Sequence, residues 1–199
     1  AADDLGEDEA AARIAAALKT DNVELREPST GRVNLHAKVA GVFTVDKAVI
    51  DALNTISPSI TIATLPDFAT VEADQMVATV KIIPFAVPAF QADAAVGLAA
   101  FRRAFGVHAF RPRRVALIQT VLPSLKESVI EKTVELTAAR IARSGSSIMA
   151  ERRVPHDERA VAEAIGELEP QADMLIVFGA SAVSDDQDAR FAIRQKVAI

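Results

Sequence analysis

The chain predicts an α/β fold in its C-terminal half, a doubly wound, mostly parallel sheet, preceded by a small α+β module. Three observations carry that expectation. Arg113 to Ser181 reads strand, helix, strand, helix, strand: RRVALIQT, VIEKTVELTAARIARSG, SSIMAERRVPHD, a second helix, then ADMLIVFGAS. Strands that alternate with helices point to a parallel sheet covered on both faces. The first and last of these strands end in Thr120 and in Gly179-Ala180-Ser181, and ligands on such sheets sit beyond the carboxyl ends of the strands, where strand order reverses. The first hundred or so residues instead carry many short β-rich runs and two helices, which suits a separate α+β layer.

Taken in order, EDEAAARIAAAL (7–18) reads as a helix. Acidic residues crowd its first turn, where the helix dipole favours them, and alanine supplies propensity. After the turn at Asp21-Asn22, NVELREP alternates like a strand. VNLHAKVAGVFTV is expected to be one long β-rich run bent at Gly41. Asp46 is the expected N-cap of the helix KAVIDALNTI, which Pro58 stops. SITIATLP and MVATVKIIPF are two further strands, separated by a polar loop DFATVEADQ. PAFQADAAVGLAAFRRAF (88–105) is expected to be a helix linking the halves. The border is placed near Val107, giving domains 1–107 and 108–199, because the residue before Pro112 avoids helical backbone.

In the second half, Val129, Ile130, Val134, Ala138 and Ile141 form the expected inner stripe of the first helix, which Ser144-Gly145 ends. Asp157 is the expected cap of the next helix, with Val161 and Ile165 inward. MLIVF reads as a central strand buried on both faces.

Composition narrows the function. With 199 residues, half of them hydrophobic, the chain can bury a sizeable core. It has no cysteine, which removes disulfides, thiolate catalysis and cysteine-based metal sites. Its net charge of −5 gives no electrostatic footprint for nucleic acid. No apolar run approaches the roughly 20 residues of a membrane span, and Ala1-Ala2-Asp3-Asp4 does not begin a secretory signal. The expectation is a soluble cytoplasmic protein with no membrane partner. The absent initiator methionine and the ending at RFAIRQKVAI also suggest a piece of a longer chain.

Two turns carry candidate chemistry. In TVLPSLKES, Ser124, Lys126 and Ser128 precede a helix. Free N–H groups there and a lysine make an anion site, or else a serine caps the helix and the lysine is solvated. In FGASAVSDDQD, small residues admit a ligand close to the backbone, and Ser181 and Ser184 offer hydroxyls. Asp185, Asp186 and Asp188 either hold a magnesium ion or hydrogen-bond a ligand, or they form an ordinary solvated loop. Both turns meet at one sheet edge if the strands lie in the order second, first, third. His36, His108 and His156 are too scattered for a metal site, and His156, beside a helix start, reads as a surface or capping residue. Arg102, Arg103, Arg111, Arg113 and Arg114 gather positive charge, either for an acidic ligand or as a solvated rim. There is no GxxxxGK[ST] loop and no GxGxxG fingerprint.

The order VALIQT, helix, ERRVPHDERAVAEAI, ADMLIVFGAS and acidic loop resembles the molybdopterin-binding domain of molybdenum-cofactor biosynthesis proteins, a family that includes an adenylyltransferase and a molybdenum-insertion enzyme. The resemblance covers about residues 112–190. It implies molybdopterin as ligand, with magnesium. Thr120, Ser124, Lys126, Gly179, Ala180, Ser181, Asp185 and Asp188 would then be the binding residues, with Asp185 or Asp188 at the metal. Where the family has a Gly-Gly turn, this chain has Gly179-Ala180, so a methyl replaces bare backbone. The family's later proline-glycine segment has no counterpart before Ile199. VEADQMVATVKIIPF resembles the companion module of a bacterial subgroup of molybdopterin-binding-like proteins, some fused to a nucleotidyltransferase. The resemblance therefore implies either nucleotide transfer or molybdenum insertion, or a non-catalytic module that delivers cofactor to a fused or separate nucleotidyltransferase. It also implies a homo-oligomer.

Overall fold

The computed structural model describes residues 3–180. It combines helices with several sheets, and the chain divides into two compact units, Ala1–Phe110 and Arg111–Ile199.

The first unit runs β1 (Asp4–Gly6), α1 (Glu7–Ala17), β2 (Lys19–Asp21), β3 (Val23–Leu25), β4 (Arg32–Ala37), β5 (Gly41–Val45), α2 (Lys47–Ile56), β6 (Ile60–Thr64), β7 (Thr70–Val71), β8 (Met76–Ile82), β9 (Ala86–Pro88), α3 (Ala89–Ala99) and β10 (Arg103–Ala109). Two four-stranded sheets result, ordered β3-β4-β8-β6 and β2-β10-β5-β7, with β1 and β9 as a separate pair. The core joins Phe43, Leu35, Ile60 and Ile82 to the small faces of α1 and α3, where Ala10, Ala11, Ala92 and Ala95 are fully buried. Phe43 and Phe105 meet at 5.8 Å between ring centroids, within the range of favourable tilted ring pairs. Asp46 caps α2 as its sequence position predicts, its Oδ1 accepting from the N–H groups of Ala48 and Val49 at 3.1 and 3.3 Å. Asn54 imitates a strand: its amide donates to the Ile62 carbonyl at 3.0 Å and accepts from the Ile62 N–H at 2.7 Å.

Three expectations change here. The run 33–45 is two strands in different sheets, β4 and β5, not one bent strand. Gly41 belongs to the close approach of β5 and β10, since a Cβ there would lie 2.1 Å from the His108 carbonyl oxygen. The helix expected over 88–105 ends at Ala99, and residues 103–109 form β10. Strand pairing and burial override the helical propensity of that stretch, because Ala104, Phe105 and Val107 fill the core while β10 pairs with both β2 and β5. The first unit runs to Phe110, and Val107 lies inside its central strand. Finally, the loop 67–75 contributes the short strand β7.

The second unit runs β11 (Arg114–Val121), α4 (Glu127–Ala142), β12 (Ser147–Pro155), α5 (Glu158–Leu168), a 3₁₀ turn (Glu169–Gln171) and β13 (Met174–Phe178). The strands are parallel and lie in the order β12-β11-β13. Val115 to Thr120 of β11 are all buried. Ala116 and Ile118 pack with Val161, Ala164, Ile165 and Leu168 of α5, while Gln119 turns to α4 and donates to the Ile130 carbonyl at 3.3 Å. Asp157 caps α5 through the Ala160 N–H at 2.9 Å. The inner side of α4 is carried by Ile130 and Thr137; Val129, expected inward, is exposed. MLIVF also departs from expectation. Among the described residues β11 takes the centre and β13 an edge, so Met174 keeps 46% of its surface exposed.

Gly41→Ala should lower the unfolding free energy by about 3 kcal/mol, the upper part of the range for overpacking, because the added methyl meets backbone rather than a movable side chain. Urea unfolding followed by circular dichroism checks this.

Candidate functional site at the carboxyl ends of the parallel strands

The strand order places the ends of β11 and β13 side by side, with Gln119 opposite Phe178 and Val121 opposite Pro155 of β12. Thr120 then sits where all three strand ends converge. It is only 2% exposed. Its hydroxyl oxygen accepts from the Ala180 N–H at 2.7 Å and shares a 2.7 Å hydrogen bond with Nδ1 of His156. One buried hydroxyl thus ties the turn after β13 to the junction between β12 and α5. A buried hydroxyl demands partners, and these two fix both turns relative to β11. Sequence spacing gave His156 no role at this point. The signal available was its place directly after Pro155, at the end of a strand parallel to β11.

The loop from β11 to α4 brings Ser124 and Lys126 to the surface at the same end of the sheet. Lys126 itself is the N-cap residue of α4, in extended backbone (φ −72°, ψ 136°), and no side chain caps the helix. The alternative in which Ser124 or Ser128 caps α4 is therefore set aside. An exposed lysine at an uncapped helix start favours an anion through the dipole and the amino-terminal N–H groups together. Gly179 is exposed and Ala180 half-buried beside it. Ser181, Asp185 and Asp188, with Ser184 and Asp186, lie outside the described residues. No group of three or more His, Asp or Glu able to hold a metal occurs among the described residues.

Behind the strand ends lies a polar network that the sequence analysis missed. Gln119, 4% exposed, donates to Glu151 Oε1 at 2.9 Å. Arg153 donates to the same oxygen at 2.7 Å and is also paired with Glu127 in the first turn of α4. Parallel register explains the cluster, since Gln119 stands opposite Arg153 and Leu117 opposite Glu151. The hydrogen bond from Arg153 is the main cause that holds the Glu151 carboxyl below its ordinary value; burial opposes it, and Gln119 assists. A lone glutamine in VALIQT facing ERR was the legible clue.

The arginines near the border are mostly spoken for by acids. Arg102 meets Asp46 at 3.3 Å, Arg103 meets Asp21 at 3.8 Å, and Arg114 meets Asp173 at 3.4 Å. A separate cavity of about 350 Å³ opens in the first unit beside Asp46, Asp67, Phe68, Arg103 and His108. Of the residues that the sequence nominated for an acidic ligand it contains Arg103, and it contains none of Thr120, Ser124, Lys126, Gly179 and Ala180.

No family model matches the chain, and no curated protein does. Among solved structures it is similar to the molybdopterin biosynthesis moea protein from Pyrococcus horikosii, at 13% identity and a TM-score of 0.32, over 96% of this chain and 66% of that one. The chain thus spans just under two thirds of that protein's length. An overlap this low carries no argument about fold or function. No described helix is long and apolar enough to cross a membrane.

The network predicts a pH signature. The folded-state value of Glu151 lies below the ordinary 4.5, so its ion pair contributes stability above that pH, and the contribution is lost as pH falls through the lowered folded value. Glu151→Gln should therefore destabilise the chain at neutral pH, and the gap from wild type should close below about pH 4.5. Chemical unfolding of both proteins across pH 3–7 reads this.

Proposed function

We propose that the C-terminal unit binds molybdopterin, or its nucleotide, beyond the carboxyl ends of β11 and β13, in the biosynthesis of the molybdenum cofactor. Two things support the reading: the resemblance carried by VALIQT, VPHD and ADMLIVFGAS, and the convergence of the strand ends on the Thr120 hydroxyl. The second carries it, because Thr120, which opens the first nominated turn, is hydrogen-bonded to Ala180, which belongs to the other. The donor set suits the ligand's phosphate. Lys126 and the uncapped start of α4 offer positive charge and N–H donors, while Gly179, exposed and without a side chain, lets a ligand approach the backbone.

In this reading Ser124 and Lys126 hold the phosphate, and Gly179, Ala180 and Ser181 lie under the pterin. Asp185 or Asp188 contacts the pterin amino group or a magnesium ion. Thr120 keeps the facing turns in register. The parallel strands belong to a doubly wound sheet, and the first unit is its companion module. As an enzyme it would bring an oxygen of the pterin phosphate to the α-phosphorus of ATP, so that a new phosphoanhydride bond forms as the α–β bond breaks and pyrophosphate leaves with magnesium, and the protein's part is positioning and charge stabilisation.

One observation favours a non-catalytic variant of this reading. Ala180 puts a methyl where the family keeps a second glycine, which narrows the approach to the backbone. Such a module would bind the cofactor and deliver it to a nucleotidyltransferase.

Titration of the chain with molybdopterin should show saturable binding, about tenfold weaker in Lys126→Ala, the effect of one lost charge-assisted contact. Dephosphorylated ligand should bind wild type and variant alike. Absence of saturable binding contradicts the proposal. Incubation with ATP and magnesium then separates the two forms: adenylylated product marks the enzyme, and binding without product marks the module.

A further inference from the structure

The cavity of about 350 Å³ in the first unit has walls of opposite charge. Strand β5 runs beneath it. Phe43 points into the core, so its neighbour Thr44 faces the other side of the sheet and forms the floor. A different segment flanks β5 on each side. On one side the Phe43 N–H donates to the Ala69 carbonyl at 2.8 Å, and the Val45 N–H donates to Asp67 Oδ1 at 3.0 Å. On the other, Val45 and Thr44 stand opposite Phe105 and Gly106 of β10. Asp67 and Phe68 therefore rise on one wall, and Arg103 and His108 on the facing one. Neighbouring strands lie about 4.8 Å apart, which sets the two walls about 10 Å apart at the backbone.

The charges on these walls are not satisfied within the chain. Asp67 gives one oxygen to the Val45 N–H, and its other oxygen has no partner among the described residues. Arg103 comes no closer than 3.8 Å to Asp21, beyond hydrogen-bond distance, and both side chains are more than half exposed. The His108 ring makes no hydrogen bond among the described residues. Asp46, by contrast, is committed, since it caps α2 and meets Arg102; it shapes the cavity without being open to a ligand. Phe68 supplies the apolar element. It is 74% exposed and sits in left-handed backbone, φ +61°, which is costly for a bulky side chain. Burial within the chain does not offset that cost, and a ligand packed on the ring would.

We infer that this cavity binds an aromatic α-amino acid, its ammonium on Asp67, its carboxylate on Arg103 and His108, and its ring against Phe68. Size agrees, because the volume is at the small end of the roughly 300–1,000 Å³ of ligand pockets. Charge selects a zwitterion: a simple anion would meet the Asp67 carboxylate, and a simple cation would meet the guanidinium of Arg103. The guanidinium fork matches a carboxylate through two parallel hydrogen bonds. An aromatic ring gains from an offset or tilted partner, which Phe68 offers beside Asp67. Every lining residue belongs to the first unit, so the inference does not depend on the pterin-binding reading.

Calorimetric titration of the chain with L-phenylalanine tests it. Wild type should bind saturably, with Kd below about 1 mM. Hydrocinnamate, which lacks the ammonium, and phenethylamine, which lacks the carboxylate, should each bind about tenfold more weakly, the loss of one charged contact. Arg103→Gln should weaken L-phenylalanine by a similar factor and leave phenethylamine unchanged. Asp67→Asn keeps an acceptor for the Val45 N–H; it should weaken L-phenylalanine and leave hydrocinnamate unchanged. Phe68→Gly removes the left-handed strain, so it should hold or raise the thermal midpoint while weakening binding, a combination that a purely structural role for the loop does not give. Absence of saturable binding overturns the inference. So does hydrocinnamate binding as tightly as L-phenylalanine, or L-phenylalanine binding unchanged in Arg103→Gln.

Discussion

The hydroxyl of Thr120 is the constraint on which the second unit's carboxyl edge depends. A parallel sheet aligns strand ends but leaves their turns to find their own positions. Here a buried oxygen at the end of the central strand is shared between the Ala180 amide and the His156 imidazole. The loops after β12 and β13 are therefore tied to the same atom. Because the atom is almost wholly excluded from water, losing either partner would leave a polar group unsatisfied, and the arrangement resists drift.

Around that point the unit separates apolar and polar work by face. Toward α5, β11 presents Ala116 and Ile118 to a dry cluster. Toward α4 it presents Gln119, which reaches Glu151 and, through it, Arg153 and Glu127. The same network that satisfies a buried amide also anchors the first turn of α4 against the sheet. Lys126 directly precedes that turn. The position of the exposed lysine thus follows from a glutamine on the central strand.

Much of this edge was legible in the sequence, because alternating strands and helices with apolar centres leave few topologies. Capping by Asp46 and Asp157 was read from residue type alone, since each aspartate directly precedes its helix. What escaped was set by distant pairing. PAFQADAAVGLAAFRRAF has helical propensity throughout, yet its end becomes a strand because β2 and β5 flank it from far away in sequence. The Gln119–Glu151 bond spans 32 residues and needs the parallel register to be seen. His156 had no spacing partner, and only the convergence of strands gives it one. The serine and aspartates beyond Ala180 were nominated from sequence and lie outside the described residues.

The central claim is that the joined strand ends frame the ligand site. Amide nitrogen–proton spectra of the chain titrated with molybdopterin test it most directly. The account predicts saturable shifts concentrated in residues 120–128, at His156 and at Gly179 and Ala180. Shifts confined to the cavity beside Phe68 in the first unit, or no saturable shifts at all, would contradict it.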